Sequence, residues 1–174
     1  MTDYFRTHRK IIIPFGIMAG MTLGIIARLW MRWISTDPEF TWTGSISIVL
    51  FFTIFGATHS FVFFAREERW SRRKLNLIRL VAIFFTLPLF GAAGAQMLPT
   101  VLTGSLARWR SDWWMWVRVL LGICSVVIPI IIIRGIGDDF GWGIATIGRA
   151  LLFIAIYSAV IAATRSTVTP VAKI

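Results

Sequence analysis

Few side chains in this sequence are of the kinds that carry out chemistry, and they do not cluster. The chain has eight acidic residues, two histidines and one cysteine, and no carboxylate lies within an apolar stretch beside another. The glycine loop of nucleotide-binding sites is absent, as are the Gly-x-Ser-x-Gly and His-Glu-x-x-His signatures. We therefore expect a protein that is not an enzyme, and no zinc or iron–sulfur site within one chain.

Long apolar stretches explain why reactive groups are scarce. Of the 174 residues 57% are hydrophobic and 15% charged, whereas about a quarter of the residues of a soluble domain are charged. Because a helix crosses the hydrocarbon layer in about 20 residues, five stretches qualify as spans. We expect an all-α integral membrane protein, a single transmembrane domain over residues 1–174 with Pro88 and Pro99 bending the third span. The five spans are 11–30, 45–64, 78–98, 116–133 and 142–163.

Basic residues between these stretches predict the orientation. The segment 66–79 holds six arginines and lysines, and the N-terminal segment before Ile11 holds three. Under the positive-inside rule both segments lie in the cytoplasm, so five spans would put the C-terminus outside. We expect the bacterial inner (plasma) membrane as the location. The basic residues that orient the protein in the membrane then account for the net charge of +10, and we expect no nucleic-acid partner.

Tryptophan and arginine are concentrated on the side that this topology makes the outer one. Seven of the nine tryptophans fall there, although an aromatic belt populates both membrane interfaces. Arginine with aromatic side chains is a common composition of binding surfaces. The alternative is an ordinary aromatic belt. The predicted surface consists of Arg28, Arg32, Asp37, Glu39, Trp113 and Trp114.

The segment from Ala27 to Gly44 reads ARLWMRWISTDPEFTWTG. It resembles a segment of small uncharacterised bacterial polytopic membrane proteins, and the resemblance implies no activity. Ser and Thr before Pro38 are typical of a turn, which would bring Glu39 back towards the arginines of the first helix.

Two features lie within the spans themselves. Gly16, Gly20 and Gly24 follow at four-residue spacing, which predicts a face where another helix packs closely, either in a dimer or within the chain. His59 is an ionisable group at membrane depth, and such groups serve as proton relays or ligands. The alternative is a histidine that is hydrogen-bonded for packing.

These observations favour a non-catalytic membrane subunit or scaffold that binds through the outer surface of arginine and tryptophan. Its ligand would be a partner protein, a lipid or a cofactor. The expected partners are membrane lipids, together with another membrane protein or further copies of the chain. The second hypothesis is a small transporter or channel in which His59 and Gln96 line an intramembrane path.

Overall fold

The computed structural model describes residues 2–36 and 41–170, and within them every regular element is a helix. The helices are α1 (Thr2–Trp33), α2 (Trp42–Glu67), α3 (Arg72–Ala93), α4 (Met97–Trp109), α5 (Met115–Phe140), α6 (Ile144–Ala163) and the short α7 (Arg165–Val168). Five of them are long and apolar enough to cross a membrane. The expected all-helical fold with five apolar spans is confirmed.

The third span differs from the prediction, because α3 stops before Gly94 instead of continuing to residue 98. Gly94 has a φ of +119°, a conformation open to glycine and closed to most other residues. Pro99 does not bend a continuous helix; it lies in the first turn of α4, where its missing N–H costs no hydrogen bond. The polypeptide therefore forms an additional helix of 13 residues that the sequence analysis did not predict.

Contacts to α6 show that α4 reverses the direction of the chain. Met97, at its start, packs against the cluster that contains Trp30 and Phe153. At its end, Trp109 Nε1 donates to the carbonyl of Ile161 at 2.9 Å, eight residues further along α6 than Phe153. Helix α4 thus runs alongside α6 in the same direction, and α5 starts where α4 ends.

Polar groups hold α4 in place among its neighbours. The hydroxyl of Thr164 donates to Ser105 Oγ at 2.7 Å, and the hydroxyl of Tyr157 lies 3.3 Å from the carbonyl of Thr100. Thr100 and Ser105 are both 1% exposed. Small and hydroxyl side chains permit close helix contacts and supply interhelical hydrogen bonds where no water is available. Thr164 and Tyr157 therefore tie the 13-residue α4 to the end and the middle of α6.

The extra reversal determines where the chain ends. We name the two ends of the bundle by their residues: the basic end holds Arg66, Arg79, Arg110 and Arg165, and the far end holds Arg28, Trp33 and Arg149. Helix α7 lies at the basic end, because Arg66 Nη1 donates to the carbonyl of Ser166 at 2.8 Å. The start of the apolar part of α1, at Ile11, borders the same end. Both termini of the bundle therefore lie on one side, and the expectation of termini on opposite sides is wrong. The cytoplasmic placement of the N-terminus stays a prediction.

Candidate functional site

Arg28 and Arg32 project from the far end of α1. Arg28 is half-buried, and its Nε donates to Ser45 Oγ at 3.0 Å, so it rises from the packed face of the helix. Arg32 is exposed and takes part in further interactions. Asp37 and Glu39 lie outside the described residues, so their expected pairing with these arginines stays a prediction.

Trp113 and Trp114 lie at the basic end, away from Arg28 and Arg32. The guanidinium of Arg110 lies 5.1 Å from the ring centre of Trp113, and Trp114 is 81% exposed. Ser45, which binds Arg28, is 21 residues from the basic end on α2, or roughly 30 Å at 1.5 Å per residue. The predicted surface is therefore divided between the two ends, because α4 carries the second tryptophan group back across the bundle.

The glycines of α1 form a seam with α2 inside one chain. A Cβ atom at Gly20 would lie 3.1 Å from the Cα atoms of both Thr53 and Gly56, and one at Gly24 would lie 2.9 Å from the Cα of Val49. Such distances leave no space for a side chain. Of the two alternatives for the glycine face, the structure supports packing within the chain.

A lateral cleft opens beside this seam, between α1 and α6. It has a volume of about 940 Å³ and is lined by residues from 11–23 of α1, 55–67 of α2, 159–163 of α6 and from α7. Helices α1 and α6 touch at the far end, where Trp30 stacks on Phe153 at 5.0 Å and its Nε1 donates to the carbonyl of Arg149 at 2.8 Å. Towards the basic end the cleft separates them.

The walls of the cleft are apolar and open towards lipid. Phe15 is 71% exposed and Phe63 45% exposed, although both lie within helices that qualify as membrane spans. Ala159 and Ala162 are exposed on the opposite wall. Large apolar side chains exposed on candidate membrane spans are of the kind that faces acyl chains in a bilayer.

The mouth of the cleft is polar, and its main cation is Arg66. The guanidinium donates to the carbonyls of Ser166 and Thr169 at 2.8 Å each and to that of Pro170 at 3.3 Å. These bonds cap the end of α7 and use three of the five N–H donors of an arginine. Two donors have no partner among the described residues. Arg165 also lines the mouth, with its guanidinium 5.3 Å from the ring centre of Trp109.

His59 lies in the floor of the cleft and is 4% exposed. Its Nδ1 donates to the carbonyl of Phe55 at 3.0 Å, and its ring centre is 4.2 Å from that of Phe55. Its own carbonyl accepts the hydroxyl of Ser166 at 3.0 Å, which ties α7 to α2. His59 therefore belongs to a pocket, whereas the sequence alone left it without neighbours.

Gln96 does not share this pocket. It is exposed in the turn between α3 and α4, and it is not among the residues that line the cleft. The intramembrane path proposed for a transporter joins two residues that the structure does not bring together.

Sequence reasoning missed the α6 wall and α7. The signal was present in the fifth span, where Ala155, Ala159, Ala162 and Ala163 recur at spacings of three and four. Such spacing marks one helix face, as the glycines of α1 do. Residues of α7 were not singled out, because four residues after an apolar span carry no periodic pattern.

Within the described residues no group of three or more His, Cys, Asp or Glu side chains is arranged to hold a metal ion. No protein-family model matches this chain, and no curated protein or solved structure is detectably similar to it. The candidate site is therefore inferred from the geometry of this chain alone.

Proposed function

We propose that this chain is a non-catalytic membrane-embedded binding protein, a subunit or scaffold that holds an amphiphile in its lateral cleft. The observation that carries the proposal is the cleft itself, which has an apolar body at membrane depth and a polar mouth beside Arg66 and Arg165. The proposal keeps the role expected from the sequence and moves the binding surface from the tryptophan groups to the cleft. The bacterial inner membrane stays the expected location.

The volume of the cleft fits a lipid-sized occupant. The α2 wall from Phe55 to Glu67 is about 18 Å long at 1.5 Å per residue. The cleft has about 940 Å³, which falls in the range of small-molecule sites, about 300–1,000 Å³. An acyl or isoprenoid chain bends to fill such a space.

The polar mouth sets the orientation of the occupant. Arg66 has two N–H donors without a partner among the described residues, and Ser166 and Thr169 lie beside it. A molecule with a polar head and an apolar tail would place its head there and its tail along Phe15 and Phe63. A wholly apolar molecule would make no use of those donors.

Filling the cleft tests this proposal. Ala162 is exposed on the α6 wall, so Ala162→Trp blocks the cleft without entering the packed core. Native mass spectrometry of protein extracted in mild detergent should show a bound amphiphile on the wild type and loss of most of it from Ala162→Trp. Ile154→Trp is the matched control, because Ile154 is exposed on another face of the same helix and does not line the cleft. Equal retention by Ala162→Trp and the wild type would refute the proposal.

A further inference from the structure

The hydrogen bond of His59 determines which ring nitrogen carries the proton. Nδ1 lies 3.0 Å from the carbonyl oxygen of Phe55, and a carbonyl oxygen accepts only from an N–H or O–H group. In the neutral ring the proton is therefore on Nδ1, and Nε2 is an acceptor. Nδ1 therefore faces its own helix, and Nε2 is the ring nitrogen left to accept a hydrogen bond.

Nε2 has no donor among the described residues. Three hydroxyl groups line the cleft, and each already donates elsewhere; that of Thr169 binds the carbonyl of Arg165 at 2.6 Å. Ser60 Oγ donates to the carbonyl of Gly56 at 2.8 Å, and Ser166 Oγ donates to the carbonyl of His59 itself at 3.0 Å. The residue is 4% exposed and lines the cleft, so its remaining acceptor is available from the cleft alone.

We propose that the occupant of the cleft is an amphiphile with a hydroxyl group, and that this hydroxyl donates its proton to Nε2 of His59. The inference rests on the proposed function and names the ligand class of the same site. A hydroxyl on an apolar body, whether a phenol or a long-chain alcohol, supplies the donor that the chain lacks there. A hydrocarbon, an ether or an ester supplies none.

Ser166 links Arg66 to the backbone of His59. Its hydroxyl binds the carbonyl of His59, and its own carbonyl accepts from Arg66 Nη1 at 2.8 Å. Both His59 and Arg66 line the cleft, His59 with a ring nitrogen that accepts and Arg66 with a guanidinium that donates. The apolar remainder of the ligand then lies along α1 and α6.

Matched ligands test the inference by changing one donor. The probes are 4-nonylphenol with its methyl ether 4-nonylanisole, and 1-dodecanol with 1-methoxydodecane. Equilibrium binding is measured on the full chain in phosphatidylcholine nanodiscs and corrected for binding to empty nanodiscs. The wild type should bind one hydroxyl compound about tenfold more tightly than its ether, as a buried hydrogen bond predicts. The pair that shows the difference identifies a phenolic or an aliphatic hydroxyl.

Variants of His59 assign the preference to its nitrogen. His59→Phe keeps a ring beside Phe55 and removes the acceptor, so the preference should fall to about one. His59→Gln keeps an acceptor and should retain part of the preference. Thr58→Val is the matched control: Thr58 is the neighbouring residue on α2, its hydroxyl binds the carbonyl of Ile54 at 2.9 Å, and it does not line the cleft.

The outcomes separate this inference from the proposed function. Equal binding of alcohol and ether by the wild type would overturn the role of His59 and leave the cleft as a binding site. A preference that survives in His59→Phe would also overturn it. Binding of none of the four probes above that of empty nanodiscs would refute both proposals.

Discussion

Replacing Gly20 by alanine should destabilise the bundle, because the seam between α1 and α2 has no room for a methyl group. The added Cβ would lie 3.1 Å from the Cα atoms of Thr53 and Gly56, and closer still to the carbonyl oxygen of Phe52. These are backbone atoms of a helix, which cannot rotate away as the end of a long side chain can. The two helices, or the backbone of α2 at Phe52, must therefore shift to admit the methyl group.

The expected magnitude follows from overpacking. Forcing a methyl group into a packed interface costs about 1–3 kcal/mol. For a chain of this size that loss lowers the Tm by roughly 2–12 °C. Alanine also has the better helix propensity, by about 0.5–1 kcal/mol, so the measured change is the overpacking cost less this gain.

Gly135→Ala is the matched control. Gly135 lies inside α5, and an added Cβ there would meet no atom within 4 Å. This variant gains helix propensity without overpacking, so its Tm should equal or exceed that of the wild type. Thermal melts of both variants in one detergent, followed by tryptophan fluorescence, give the comparison. If Gly20→Ala melts no lower than Gly135→Ala, the close seam does not exist.

Two further predictions concern topology and the contact at the far end. Single cysteines in place of Ser71 and Ser111, in a Cys124→Ser background, should react with an impermeant maleimide from the same side of the membrane, and one at Thr43 from the other. Labelling of Ser71 and Ser111 from opposite sides would restore the five-span path and exclude the reversal through α4. Trp30→Phe keeps the stacking on Phe153 and loses the 2.8 Å hydrogen bond to α6, so it should cost about 0.5–1.5 kcal/mol in detergent melts. An unchanged Tm would mean that this bond does not hold α6 against α1.

Periodicity and hydropathy predicted most of the fold, because both report on the solvent that a helix faces. The spans at 45–64 and 116–133 fall within α2 and α5; α2 is three residues longer at each end, and α5 is one residue longer at its start and seven at its end. The glycines of α1 also form the close helix contact that their spacing predicts, and the partner is α2. Such patterns are local, so they are readable from one sequence.

The sequence also contains signals for the break after α3, but the continuous hydropathy of the stretch outweighed them. Gly91, Gly94 and Pro99 are stop and start signals of helices, but they lie in a continuous apolar stretch that suggests one bent helix. Missing this one break changes the predicted position of every later residue. The added reversal through α4 puts Trp113 and Trp114 at the other end of the bundle from Arg28 and Arg32, so the sequence could not predict which of these residues share a surface.

The cleft could not be predicted, because small residues at helical spacing have two different structural outcomes. On α1 they receive α2 and disappear from the surface, whereas Ala159 and Ala162 on α6 stay exposed in a gap. The difference lies in contacts made elsewhere. Trp30 fixes α6 to α1 at the far end, and Arg66 holds α7 against α2 at the basic end. With both ends of α6 anchored to different partners, the helix cannot close on α1, and the space between them remains available to a molecule from the membrane.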